Sequence, residues 1–289
     1  MIISPGKLDR NDVENVITET FLYDRFHLQA INQHKWEGLK EHNIKERYVE
    51  QYLFYNGFCI FFEDPELGFM CLPGAGKGVN VYGDYTSYVA RGHNYSREIP
   101  ATECVVIENN KLRLPTHKAV FFFVSRLYEL TRTMDVNIRQ LKLQSLFSAT
   151  DKNILTVKKI IDEIEKNNWA IITDSTSINA EDIVKAIPTG VKCLTAELTD
   201  RYNAVMNEAL TYFGINNSNT DKRERLITDE ANANNQFIDS CAEMFLESRQ
   251  RACEEIREKF GIEISVDLRN KREEVSENVS TSTSEDGSE

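Results

Sequence analysis

Apolar residues recur at spacings of three and four along most of the chain, giving way between positions 58 and 114 to short apolar runs cut by turns. Val13, Ile17, Phe21, Leu28 and Ile31 predict an amphipathic helix. Ile44, Tyr48, Tyr52 and Tyr55 predict a second, closed by Gly57. The short runs at 58–62, 69–72, 79–82, 86–90, 104–108 and 111–114 predict strands of a small curled sheet or barrel, with Asn109-Asn110 as a two-residue hairpin turn. Pro115-Thr116 then opens a helix in which Val120, Val124, Leu127, Leu130, Met134, Ile138 and Leu141 keep a period of about 3.5 residues. A helix of about 25 residues spans about 37 Å, long for a globular protein.

Positions 143–194 are mixed. They predict a helix at 156–167, a strand at 169–173, a short helix at 180–187 and a turn at Pro188-Thr189-Gly190. The next stretch is the clearest of the chain. Leu198, Tyr202, Val205, Ala209 and Phe213 line one face of a helix with Thr195 at its N-cap and Gly214 at its end. Asn216, Asn217, Asn219, Asn232, Asn234 and Asn235 surround the charged run Asp221-Lys222-Arg223-Glu224-Arg225, which has little to bury and reads as a mobile functional loop. Ile238, Cys241, Phe245, Ala252, Ile256 and Phe260 predict another helix, ended by Gly261. Ile262, Ile264, Val266 and Leu268 then alternate with polar residues as a half-buried strand. The tail at 270–289 is acidic and free of aromatics, a composition that reads as disordered.

The run NAVMNEALTYFGINNSNTDKRERLITDEANANNQFIDS, followed by FLESRQRACEEIREKFGIEISVDLR, resembles the portal protein of small short-tailed bacterial viruses, also called the upper collar or head-tail connector. The likeness continues more weakly through YNGFCIFFEDP, Cys71 with Gly74-Ala75, and Pro115-Thr116, and covers positions 48–269. Between 147 and 192 it is a likeness of pattern only.

The resemblance implies an α+β, mainly helical portal subunit with long stem helices, a small β-rich wing and an α/β clip. Its parts are N-terminal wing helices at 1–57, a β-rich wing at 58–115, a first stem helix at 116–142 and a clip at 143–194. A second stem helix at 195–215, a channel loop at 216–235, a C-terminal wing helix and strand at 236–269, and the tail complete it. It further implies a ring, twelve-fold in that family, through which double-stranded DNA enters and leaves the head. Its partners would be capsid and scaffold proteins, a packaging ATPase that in some members works with a packaging RNA, and lower collar and tail proteins. The ring would be made in the host cytoplasm and end at the portal vertex of the virion.

In that arrangement Lys222, Arg223 and Arg225, with Asn217 and Asn219, form a collar facing the phosphate backbone, and Arg201 and Lys192 are further channel-lining positions. The interleaved Asp221, Glu224, Asp229 and Glu230 keep the attraction weak, as sliding requires. Two departures stand out. The N-terminal arm is acidic, with Asp9, Asp12, Glu14 and Glu19 against Lys7 and Arg10, and Tyr202 stands where a channel lysine is expected.

The 289 residues carry a formal charge of -12. Such a chain lacks the clustered cations of tight nucleic-acid binding, and a mostly repulsive surface with a few basic positions suits DNA that must slide. No secretory signal and no membrane span are predicted. Cys59, Cys71, Cys104, Cys193, Cys241 and Cys253 lack close pairing and read as buried free thiols. His27, His34, His42, His93 and His117 read as surface or capping residues, so no metal and no cofactor are expected. Pro73-Gly74-Ala75-Gly76-Lys77-Gly78 has Cys71 and Gly78 where a phosphate loop needs Gly and Ser or Thr, and reads as a flexible turn. Carboxylates do not converge, so no catalytic residues are assigned. The alternative to a portal is an oligomeric coiled-coil adaptor without a DNA channel, distinguished by ring stoichiometry.

Overall fold

The computed structural model describes residues 10–142, 145–147, 186–188, 192–216 and 228–269. It divides into two compact units, Met1–Leu28 with Pro115–Met244, and Gln29–Leu114 with Phe245–Glu289. In chain order come helix α1 (Arg10–Ile31), strand β1 (His34–Glu37), helix α2 (Glu46–Asn56), and strands β2 (Phe58–Asp64), β3 (Gly68–Leu72), β4 (Gly74–Val79), β5 (Tyr85–Gly92), β6 (Tyr95–Pro100) and β7 (Cys104–Glu108). Helix α3 (Thr116–Lys142), the short pair β8 (Ser145–Phe147) and β9 (Ala186–Pro188), helices α4 (Thr195–Tyr212) and α5 (Thr228–Phe260), and strand β10 (Ser265–Leu268) follow.

The first unit is built on an antiparallel pairing of α3 and α4. Its direction is read from three rungs: Arg126 Nη1 to Glu208 Oε2 at 3.0 Å, Thr199 Oγ1 to Met134 Sδ at 3.8 Å, and Leu194 N to Asn137 Oδ1 at 3.1 Å. Val120, Phe123, Val124 and Leu127 of α3 are buried, as are Val205, Met206, Ala209 and Phe213 of α4 and its end. Phe213 packs its ring 6.0 Å from that of Phe123 and 5.9 Å from that of Phe26 on α1. At 27 residues, α3 spans about 40 Å.

In the second unit, two three-stranded antiparallel sheets, ordered β3-β2-β7 and β4-β5-β6, stack through β2. Because successive side chains on a strand point to opposite faces, the run Cys59-Ile60-Phe61-Phe62 feeds two cores. Ile60 and Phe62 join Tyr88, Ala90, Ile99 and Cys104 on the side of the second sheet. Cys59 and Phe61 join Val49 and Leu53 of α2, Leu246, Ala252, Cys253 and Ile256 of α5, and Trp36, Ile264 and Val266. The last three belong to β1, β10 and the extended stretch before β10. β1 and β10 pair antiparallel, with Trp36 opposite Val266.

The α+β class and the long helices agree with the sequence reading, while several details differ. The sheets remain open, not barrel-like. The glycine-rich stretch read as a flexible turn is strand β4, paired to β5 with Gly76 opposite Tyr88. Its glycines are needed there: a Cβ on Gly76 would meet the Tyr85 ring at 2.2 Å, and one on Gly74 the Val89 carbonyl oxygen at 2.4 Å. Val81 and Tyr82, read as strand, form the exposed tip of the β4-β5 hairpin, 93% and 88% exposed. Residues 111–114 are not a strand and Asn109-Asn110 is not a hairpin turn. The Asn110 side chain instead caps a turn into α3, accepting from the Leu112 and Leu114 N–H groups at 3.1 and 3.0 Å.

The inward faces of the first two helices are also displaced. α2 buries Val49, Glu50, Leu53 and Phe54, and leaves Tyr48 and Tyr55 exposed. α1 buries Leu22 and Phe26, and leaves Ile17, Phe21 and Leu28 exposed. Ala186 and Ile187, read as the end of a short helix, lie in β9 because they pair with Phe147 and Leu146. α5 begins at Thr228, so the loop read at 216–235 ends eight residues earlier. The expected elements at 156–167, 169–173 and most of 180–187, and the tail at 270–289, lie outside the described residues.

Gly214 stops α4 as expected, at a φ of 67°, a left-handed conformation that favours glycine. A second constraint acts at the same place. A Cβ here would lie 2.5 Å from the backbone of Ala242 on α5. We therefore expect Gly214→Ala to destabilise the protein by about 2–4 kcal/mol, from backbone strain and overpacking together. The shift in chemical-denaturation midpoint reads this; a change below about 1 kcal/mol would mean that the α4-α5 approach is loose.

Candidate functional site

Lys192 and Arg201 are the two expected channel positions whose side chains are described. Lys192 precedes α4 and Arg201 lies in its second turn, off the face carrying Val205, Met206 and Ala209; both are exposed. Neither forms an ion pair among the described residues. The main chain around Lys192 is fixed by Asn137 of α3, buried to 7% exposure. Its Nδ2 donates to the Lys192 carbonyl at 3.0 Å and its Oδ1 accepts from the Leu194 N–H at 3.1 Å. This corrects the expected N-cap. Leu194 occupies the cap position without a side-chain bond, and a residue of the neighbouring helix takes over part of the capping. Asn217, Asn219, Lys222, Arg223 and Arg225 lie outside the described residues, in the segment between Asn216 and the start of α5.

The polar centre that sequence reasoning missed is in the second unit. Glu50 of α2 and Arg249 of α5 are each 3% exposed and form a two-pronged pair, Nε to Oε1 at 3.0 Å and Nη2 to Oε2 at 2.9 Å. The remaining guanidinium donors reach the Phe245 carbonyl at 2.8 Å, the Asn109 carbonyl at 3.2 Å and Asn109 Oδ1 at 3.1 Å. Those five bonds match the five N–H donors of an arginine. The indole N–H of Trp36 donates to Glu50 Oε1 at 2.8 Å. His34 Nδ1 lies 3.7 Å from Glu50 Oε2. One available signal was Arg249 itself, a charge set within the apolar row Phe245, Ala252 and Ile256.

Burial pushes the Glu50 carboxyl towards its neutral form, but the Arg249 charge and the His34 contact outweigh this and hold it well below the ordinary carboxylate range. His34 is lowered by burial first and then by the Arg249 charge, against the opposing pull of Glu50, so it is neutral near pH 7. This overturns its reading as a surface histidine. The thiols follow the expected pattern except for Cys193, which is exposed; the other five are buried and free. Burial raises Cys253 to about 12 and Cys104 to about 11, which leaves them inert as nucleophiles. No group of three or more potential metal ligands occurs among the described residues. Nor does any described helix have the length and apolarity to cross a membrane.

The long helical hairpin of the first unit and the two stacked antiparallel sheets of the second match the α+β fold of a phage portal. The chain is similar to a protein of the portal and tail of native bacteriophage P68, at 15% identity over 93% of this chain and 94% of that one, with a TM-score of 0.50. It is also similar to a chain of the virion of a native gene transfer agent particle, at 11% identity over 92% and 86%, with a TM-score of 0.46. The family model Phage Connector (GP10) matches residues 4–273, and the chain belongs to the phage connector family.

Two outcomes test the buried centre. Arg249→Met strands the Glu50 charge and should cost about 3–5 kcal/mol, whereas Glu50→Leu combined with Arg249→Met should recover much of that loss. Denaturant unfolding of the three proteins measures it; a double variant worse than either single one would overturn the pairing. The second outcome concerns pH. Both folded-state pKa values are depressed, so the stability these groups contribute is complete above the unfolded values, 6.5 for His34 and 4.5 for Glu50, and falls as pH drops below each. Unfolding midpoints should therefore decline from about pH 6.5 downward, and His34→Leu should flatten the upper part of that decline.

Proposed function

We propose that this phage connector protein is the portal subunit of a bacterial virus. It forms a closed ring at one vertex of the head, through which double-stranded DNA is packaged and later ejected. The observation that carries this reading is the family match over residues 4–273. The antiparallel α3-α4 pairing supports it: in a ring, such hairpins set side by side form a channel wall. Exposed, uncommitted Lys192 and Arg201 support a wall with weak affinity for phosphate. In this reading α3 and α4 are stem helices, and Lys222, Arg223 and Arg225, with Asn217 and Asn219, form the collar that touches DNA. The ring has about a dozen copies, binds coat and scaffold proteins during head assembly, then a packaging ATPase, then lower collar and tail proteins. It resides in the virion and performs no chemistry itself.

Native mass spectrometry of the purified chain, with negative-stain images of the same sample, tests the ring. A closed assembly of about a dozen copies with a central hole is expected; a dimer at every salt concentration would favour the coiled-coil adaptor. Replacing Lys222, Arg223 and Arg225 together by Ala should leave the ring intact and impair retention or ejection of DNA. Loss of the ring in that variant would make the segment structural instead.

A further inference from the structure

Helix α1 carries two apolar faces. Leu22 and Phe26 are buried, at 4% and 1% exposure, and Phe26 meets Phe213. At 100° per residue, Ile17 and Phe21 point to the opposite side, and they are 61% and 66% exposed, with Val16 at their edge 51% exposed. Asp24 lies in the same outer stripe and is exposed. The same unit has a second outward apolar face on α3. Phe121 and Phe122, 58% and 55% exposed, point away from the buried row Val120, Phe123, Val124 and Leu127. Exposed Lys118 projects between those two phenylalanines, and Arg126 lies beside Phe122 with its guanidinium 5.5 Å from the ring centroid.

The two faces are unlike in a complementary way. The α1 stripe runs on to exposed Leu28 and carries the Asp24 carboxylate within it, with exposed Arg25 at its edge; the α3 stripe has the Lys118 ammonium at its N-terminal end. The segments 16 to 24 and 118 to 126 each cover eight residue steps, or about 12 Å of helix. Laid antiparallel, Asp24 meets Lys118 and Phe21 meets Phe121 and Phe122. Both faces are exposed among the described residues, and each is open to a partner of complementary character. One apolar patch suits a two-fold dimer, in which a surface meets itself, whereas two different complementary patches on one subunit suit a head-to-tail contact that repeats around a ring.

We infer that the outer face of α1 on one copy of this chain docks against the outer face of α3 on the next, and that this contact, sealed by Asp24 and Lys118, joins neighbours in the ring. The inference rests on the ring reading and assigns its interface.

Phe21→Asp and Phe122→Asp test it in the full chain, because each disables one half of the contact on a side chain that is already exposed. Each variant alone should keep its far-ultraviolet circular dichroism and stay monomeric by native mass spectrometry. Their equimolar mixture should give a heterodimer that grows no further, since only one intact pair of faces remains between them. Charge exchange is the second measurement: Asp24→Lys or Lys118→Asp alone should weaken assembly at least ten-fold in the concentration required, and the two together should restore it. Rings of wild type, Phe21→Asp and Phe122→Asp forming equally well would overturn the pairing and leave the ring reading standing. A Phe122→Asp chain that still dimerises alone would show that α1 meets α1, and would overturn it too. A wild-type chain that stays monomeric at every concentration would overturn both readings.

Discussion

The second unit depends on one buried charge and on how completely it is answered. An arginine and a glutamate removed from water lose solvation that their mutual attraction alone does not return; the balance is restored only if the other donors and acceptors are also satisfied. Arg249 meets that condition with bonds to Glu50, Asn109 and Phe245, and Trp36 adds a donor to the carboxylate. The partners come from four places in the chain: β1, α2, the turn after β7 and α5. Apolar packing tolerates small shifts, but a bidentate ion pair with every donor occupied permits few. This centre therefore sets the register in which α2 and α5 lie against the continuous apolar strand β2.

That centre also explains where sequence reasoning stopped. Long helices were legible because apolar spacing agrees with start and stop signals, as at Thr116 for a start and at Gly214 and Gly261 for stops. β2 was legible because an unbroken run of Phe, Cys and Ile fits a strand buried on both faces. Which face of α2 turns inward was not, because the Tyr48, Tyr52 and Tyr55 row outweighs Glu50 in any apolar count. Only a partner some two hundred positions away makes Glu50 the inward residue, and local periodicity carries no such information. β1 was missed for a related reason. β1 is only four residues long, and the strand that pairs with His34 and Trp36 lies more than two hundred positions away.

Glycines misled in the other direction. Read locally, the stretch around Gly74, Gly76 and Gly78 looks flexible, since glycine has wide conformational freedom. In the fold that stretch is an ordered strand, and its missing side chains make room for Tyr85, Ile60 and the Val89 carbonyl. The same residue type ends α4 at Gly214, where both the left-handed backbone and the approach of Ala242 demand it. A glycine in sequence thus poses one question, whether the backbone or a neighbour requires it, and only the surroundings answer. Of the site positions, Lys192 and Arg201 were legible as exposed cations; the Asn137 bonds that hold the chain beside Lys192 join residues more than fifty positions apart and left no local trace.

For the proposed contact with DNA, net charge alone is a poor guide. The formal charge of -12 argues against tight binding, and many of the described arginines spend their charge internally: Arg97 on Asp64, Arg113 and Arg251 on Glu108, Arg126 on Glu208, Arg139 on Glu14 and Arg249 on Glu50. What counts for a passing polyanion is the small set left unpaired on an outward surface. A cation committed to a carboxylate releases few counterions when DNA approaches, whereas an exposed, unpaired one does so at every encounter. In an acidic chain a few such cations give contacts that are brief and independent of base sequence. In the proposed ring, repetition would multiply such contacts without deepening any one, the balance that a channel for moving DNA would require.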